Sequence, residues 1–204
     1  MDTIRVLEGN EAEAAAAQLK TLVALSPAED GAPKVDIRKQ AGYQVAPVAH
    51  SGTLTPEIAE KIFNAAKTTG SENMTAIGLY SPEELHCYSV PMALESVDEL
   101  RGTSCGVVNF ALYGHDAQWL IIFDSQLYIG YGPEPFIKAL AGSAQSANEA
   151  FQATLDKLKA EAAGDVPGYV KQEITRVSGY LNAAFTKLNT DYANAADGEM
   201  VNVV

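Results

Sequence analysis

Basic side chains are scarce in this chain: 14 Lys and Arg against 26 Asp and Glu leave a net charge of −12 over 204 residues. That deficit speaks against two partner classes, duplex nucleic acid and anionic membrane surfaces, because both require clustered Lys and Arg. Long hydrophobic runs are missing as well. None approaches the ~20 apolar residues that span a bilayer. The N-terminal MDTIRVLEGNEAEAAAAQ carries acids where a secretory leader has a basic segment followed by an apolar one. Cysteine is nearly absent, and two thiols in a chain of this length read as a reduced, cytoplasmic protein.

The elements of metal and nucleophilic sites are equally thin. Cys87 and Cys105 form no CxxC pair, and His50, His86 and His115 form no close pair on a helix, so no metal is expected. His86 and Cys87 are neighbours in a predicted strand and face opposite ways. Cys105 can meet His86 or His115 only across strands, the one Cys–His nucleophile the sequence allows. Against it stands the ordinary role of a free cysteine as a small buried hydrophobe. His115-Asp116 after Gly114 has no further metal ligands nearby. YIGYGP lacks the strand–loop–helix context of GxGxxG and the Lys-Ser/Thr of a phosphate loop, and no GxSxG elbow occurs. The expectation is therefore no catalytic residue and no cofactor, and no motif carries a resemblance to a known family.

What is present is the grammar of an α+β protein: a mixed or mostly antiparallel sheet covered by helices, with a C-terminal helical hairpin. Apolar residues make up 47% and charged residues 20%, an ordinary globular composition. Thr3–Leu7 predicts a short strand. Asn10 is expected to cap a helix that runs through Leu19, Leu22, Val23 and Ser26 until SPAEDGAP stops it. KVDIRKQAGYQVAPVA alternates about Ala41-Gly42 and predicts a β-hairpin, with Pro47 placing its second arm at an edge. Thr55-Pro56-Glu57 opens a helix, by a hydroxyl cap, a proline at the first helical position and an acid. MTAIGLY, HCYSVPM, CGVVNFALYG, QWLIIF and LYIGYG predict strands, SPEEL a turn or a single helical turn, and ESVDELRG a short helix.

The segment WLIIFDSQLYIGYGPEPF concentrates aromatic side chains. Trp119, Ile121 and Phe123 point one way from a strand while Leu120 and Ile122 point the other, which predicts a central strand covered on both faces. The aromatics then read as core, in preference to a ligand cleft. Pro133-Glu134 opens a helix that folds back over the sheet.

Beyond Gly142 the pattern turns helical. Phe151, Leu155, Leu158 and Ala162 form one stripe. Val170, Ile174, Val177, Leu181, Ala184, Leu188 and Tyr192 form a heptad-like seam. A helical hairpin, 146–163 against 168–195, is expected in preference to a dimer built on that seam, because the loop is short and both stripes lie in one chain. The organisation predicted is a sheet domain over 1–142, the hairpin over 146–196 and a tail over 197–204.

The acids are unevenly placed. Between Lys67 and Lys138 nine acids face one base, Arg101, a local net of −8. Solubility alone accounts for such a surface. The sharper reading is an acidic face for a basic protein partner, carried by Glu83, Glu84, Asp98, Glu99 and Asp116, since such a field steers association. Immunity-type inhibitors of toxins have this profile. Two alternatives compete: a small-molecule-binding protein or enzyme with a pocket between sheet and helices near Tyr113, His115 and Tyr131, and an assembly protein that uses the helical seam.

Overall fold

A strand apolar on both sides demands cover on both sides, and the fold is arranged around that demand. The computed structural model describes residues 3–26, 34–50, 54–79, 86–103, 105, 109–114 and 116–203. Trp119, Ile121 and Phe123 lie in one hydrophobic core, and Leu120 and Ile122 lie in a second one behind them. Strand alternation thus divides the protein into two cores, with a sheet between them.

In chain order the elements are β1 (Arg5–Leu7), α1 (Asn10–Leu22), β2 (Val23–Ser26), β3 (Lys34–Arg38), β4 (Tyr43–Ala49), α2 (Pro56–Lys67), β5 (Asn73–Gly78), β6 (Cys87–Pro91), α3 (Leu94–Glu99), β7 (Phe110–Gly114), β8 (Leu120–Phe123), β9 (Leu127–Pro133), α4 (Glu134–Ala141), α5 (Ala144–Ala163), α6 (Gly168–Thr186) and β10 (Met200–Asn202). A 3₁₀ turn over Leu100–Gly102 follows α3, and a π-helical segment over Lys187–Tyr192 follows α6. The large sheet has seven strands in the order β1-β6-β5-β7-β8-β9-β4, all antiparallel to their neighbours. Helices α2, α3 and α4 supply the core on one face. Helices α1, α5 and α6 supply the other, together with a three-stranded sheet of order β10-β3-β2. The fold is α+β, with a C-terminal helical hairpin.

Several elements follow directly from local chemistry. The Thr55 hydroxyl accepts the Ile58 N–H at 3.3 Å with Pro56 at the first position of α2, as the sequence predicts. The ladder continues past β4: the His50 N–H bonds Gln126 O at 3.0 Å, so residues of its parity bond β9. Pro47 falls on the outward phase of this edge strand, where a missing N–H removes no ladder bond. Helix α5 crosses the same edge, with Ala147 in one core and Phe151 and Leu155 in the other. An open strand edge is thereby covered. In the hairpin, Phe151 stacks on Phe185 with ring centres 5.2 Å apart, and Leu181, Ala184, Leu188 and Tyr192 of the seam are buried within the chain.

Three expectations are corrected. The stretch 34–49 forms no hairpin, because β3 pairs with β2 and β10 whereas β4 pairs with β9 over seven residues. Val35 and Ile37 of β3 are buried in the second core with Val23 and Val201, while Ala46 of β4 is buried in the first. Helix α1 ends at Leu22, and Val23–Ser26 is a strand, since Val23 lies opposite Ile37 in the second core. The C-terminal residues, read as a tail, form β10, with Val201 opposite Ile37 and Val203 fully buried. In addition, the residue before α1 that takes the cap position is Gly9, at φ 52, and Asn10 is already inside the helix. The SPEEL segment lies outside the described residues.

Candidate functional site

Strand register gathers acids at one end of the large sheet. Asn73 lies opposite Pro91, Met74 opposite Gly114 and Tyr43 opposite Pro133. The residues just beyond those strand ends, Glu72, Asp116 and Glu134, therefore share that end. Gly70, at φ 73, turns the chain from α2 towards β5 and so sets the position of Glu72. Helix α3 adds Glu95 and Glu99, one turn apart and hence on one face.

Glu72, Glu95 and Glu99 line a cleft of about 400 Å³ together with Thr3, Asn73 and Met92. Among the described residues no Lys, Arg or His lines it. None of the three carboxylates is in an ion pair among the described residues. Bases on the flanking elements are engaged elsewhere: Arg101 holds Asp98 at 2.9 Å, and Lys67 Nζ lies 5.6 Å from the Phe63 ring centre. What the cleft can do chemically is accept: three unneutralised carboxylates suit a Lys or Arg side chain presented by another molecule.

The residues expected in an acidic face separate in space. Glu99 lines the cleft, whereas Asp98 next to it is drawn into its pair with Arg101. Asp116 sits on the turn between β7 and β8, where its carboxylate accepts the Gln118 N–H at 3.4 Å. Glu83 and Glu84 lie outside the described residues. Glu72 and Glu95 belong to the same acid-rich stretch, but only the pairing of β5 with β6 and the placement of α3 bring them to Glu99.

Of the alternative pocket, His115 lies outside the described residues. Tyr113 and Tyr131 are fully buried and line neither this cleft nor the one described below. Their hydroxyls donate to the carbonyls of Ala15 and Arg38, each at 2.6 Å. Burial raises both phenols above their ordinary range. Both lie in the same core, where they fasten α1 and β3 to the large sheet, and their polar ends are already satisfied.

The thiols are likewise enclosed. Burial pushes Cys105 up to about 12, with a smaller contribution from Cys87, so it stays a protonated thiol at neutral pH. Its Sγ faces the backbone carbonyl of His86 at 4.0 Å. Among the described residues no group of three or more His, Cys, Asp or Glu is placed to hold a metal ion, and no helix is long and apolar enough to cross a membrane.

A second cleft, about 350 Å³, opens between β4, α4 and α5, with Tyr128 of β9 and Lys61 of α2 among its lining residues. Nothing in the sequence pattern points to it, because its walls come from five separate elements and include several alanines. No protein-family model, no curated protein and no solved structure matches the chain.

Proposed function

We propose that this chain is a binding module whose acidic face engages a basic protein, in the manner of immunity-type inhibitors that occupy the basic surface of a toxin. The observation that carries the reading is the cleft at the sheet end, where Glu72, Glu95 and Glu99 stand without a basic neighbour among the described residues of its lining. Unpaired acids facing one concavity do little for folding, since exposed charges contribute little to stability. They do raise the encounter rate with an oppositely charged surface and disfavour partners of like charge. Asp116 and Glu134 at the same sheet end extend the negative field beyond the cleft. In this reading the module acts as one chain, supported by the burial of Leu181, Ala184, Leu188 and Tyr192 of its helical seam within it.

Capture from a native lysate at low salt, followed by rapid-mixing kinetics with the basic protein recovered, tests the reading. Changing Glu72, Glu95 and Glu99 together to Lys should slow association at least about tenfold at low salt. Raising the salt should slow the unaltered protein in the same way, because exposed charges are screened over ~8 Å at physiological ionic strength. A partner whose association ignores both treatments would refute the acidic face.

A further inference from the structure

The cleft between β4, α4 and α5 lies where α5 passes the edge of the sheet. Small side chains, Ala139, Ala147 and Ala150 among them, leave space there that larger ones would fill. Its volume of about 350 Å³ falls in the range of small-molecule sites, which are apolar with a few placed polar groups.

Tyr128 and Lys61 are both in its lining. Tyr128 is only 1% exposed, yet its hydroxyl makes no hydrogen bond among the described residues. The oxygen is not among the enclosed polar atoms that lack a partner, so it keeps access to solvent, and its residue lines the cleft. Burial, and after it the charge of Glu57, pushes this phenol up to about 12, so it remains a hydrogen-bond donor at neutral pH. Glu57 lies in the first turn of α2. Lys61 is one turn further on, bonded to Glu57 at 2.8 Å. That pair is exposed, 49% at Lys61 and 77% at Glu57, and pairs of this kind contribute little. Lys61 lines the cleft and Glu57 does not. The ammonium can therefore exchange Glu57 for an acceptor inside the cleft, while Glu57 turns to water.

We propose that this cleft binds a small amphipathic monocarboxylate, with its carboxylate at Lys61 Nζ and the Tyr128 hydroxyl and its apolar tail against Leu140, Ala147 and Phe151. One cation and one hydroxyl match a single carboxylate. The rest of the lining offers mainly apolar contact. The site lies on elements other than those of the acidic cleft and is independent of the proposed protein partner.

Isothermal titration of the full chain with octanoate tests the assignment, with octylamine and octanol as probes of equal length and different head group. Octanoate should bind saturably, and octylamine should not. Lys61→Met and Tyr128→Phe should each weaken octanoate about tenfold, the effect of losing a hydrogen bond to a charged group. Ala150→Trp, at an exposed position of α5 that lines the cleft, should abolish binding while circular dichroism shows the fold retained. Absence of saturable binding at millimolar octanoate overturns the proposal. So does octanoate binding that is indifferent to Lys61→Met and Ala150→Trp, or octylamine binding as tight as octanoate.

Discussion

Gly130 of β9 lies directly against Leu140 of α4: a methyl group at Gly130 would overlap the Leu140 Cδ2. Gly132 stands in the same relation to Phe136, with a Cβ there 2.9 Å from Phe136 Cδ1 and 3.1 Å from Trp119 Cβ. The glycines of YIGYGP thus serve helix–sheet approach, on the face that α4 covers. Gly130→Ala and Gly132→Ala should each destabilise the protein by about 1–3 kcal/mol, as overpacking of a dense core does. Urea unfolding measures the change. Unaltered midpoints in both variants would mean that α4 does not rest on β9.

Trp119 is fully buried, stacked on Phe136 at 4.9 Å, and its Nε1–H donates to the Ser71 hydroxyl at 3.2 Å. The native fluorescence should be blue-shifted and should move to the red on unfolding. Ser71→Ala leaves the indole N–H without that acceptor and should cost about 1–3 kcal/mol. Ile121→Ala, on the same face of β8, should cost about 2–5 kcal/mol through the cavity it leaves. An emission typical of exposed indole in the folded state would contradict the burial.

Lys39 binds the end of the last helical segment. Its Nζ donates to the carbonyls of Tyr192, Ala193 and Ala195 at 3.0, 3.1 and 2.7 Å. A cation at a helix C-terminus also meets the negative end of its dipole. Lys39→Met should lower stability by about 1.5–3 kcal/mol, the range for hydrogen bonds to a charged group. Amide exchange should quicken across β10, because the chain that carries it leaves this anchor. Exchange in β10 at the unaltered rate would show that the strand holds without the lysine.

His50 makes stability depend on pH. Its Nε2 lies 3.1 Å from the Asp124 carbonyl oxygen, and its Nδ1 is buried with no partner among the described residues. Burial lowers its pKa below the ordinary 6.5, against smaller opposing effects of Asp124 and Leu127. The folded state therefore favours the neutral ring. Its contribution is fully present above the unfolded value of 6.5 and is lost as pH falls from there through the depressed folded value. Denaturant unfolding at pH 7.5 and pH 5 should show a larger loss for the unaltered protein than for His50→Gln, which cannot titrate. Equal losses in the two proteins would remove His50 as the cause.

The acidic cleft marks the boundary of what could be read in advance. Glu99 was legible as part of an acid-rich stretch, and Glu72 and Glu95 were visible in the same count. Their convergence depends on β5 pairing with β6, which no local pattern specifies. Tyr113 and Tyr131 looked like pocket residues because tyrosines serve sites and cores alike. Only the carbonyls of Ala15 and Arg38, each more than ninety residues away in sequence, decide that they belong to the core.

By itself the sequence determined the elements whose causes are local. The start of α2 at Thr55-Pro56, the two-faced strand at Trp119–Phe123, the opening of α4 at Pro133-Glu134 and the hairpin of α5 and α6 all rest on contacts within a few turns or one short loop. Tertiary structure alone decided which strands pair. Val23–Ser26 extends a helical stripe in sequence but becomes β2 because Ile37 lies opposite Val23, and Val201 becomes part of β10 because the other side of Ile37 was unpaired. Strand pairing satisfies its hydrogen bonds and buries its apolar faces across residues far apart in the chain. The partner is therefore chosen by the whole fold, and no window of sequence contains both halves of the choice.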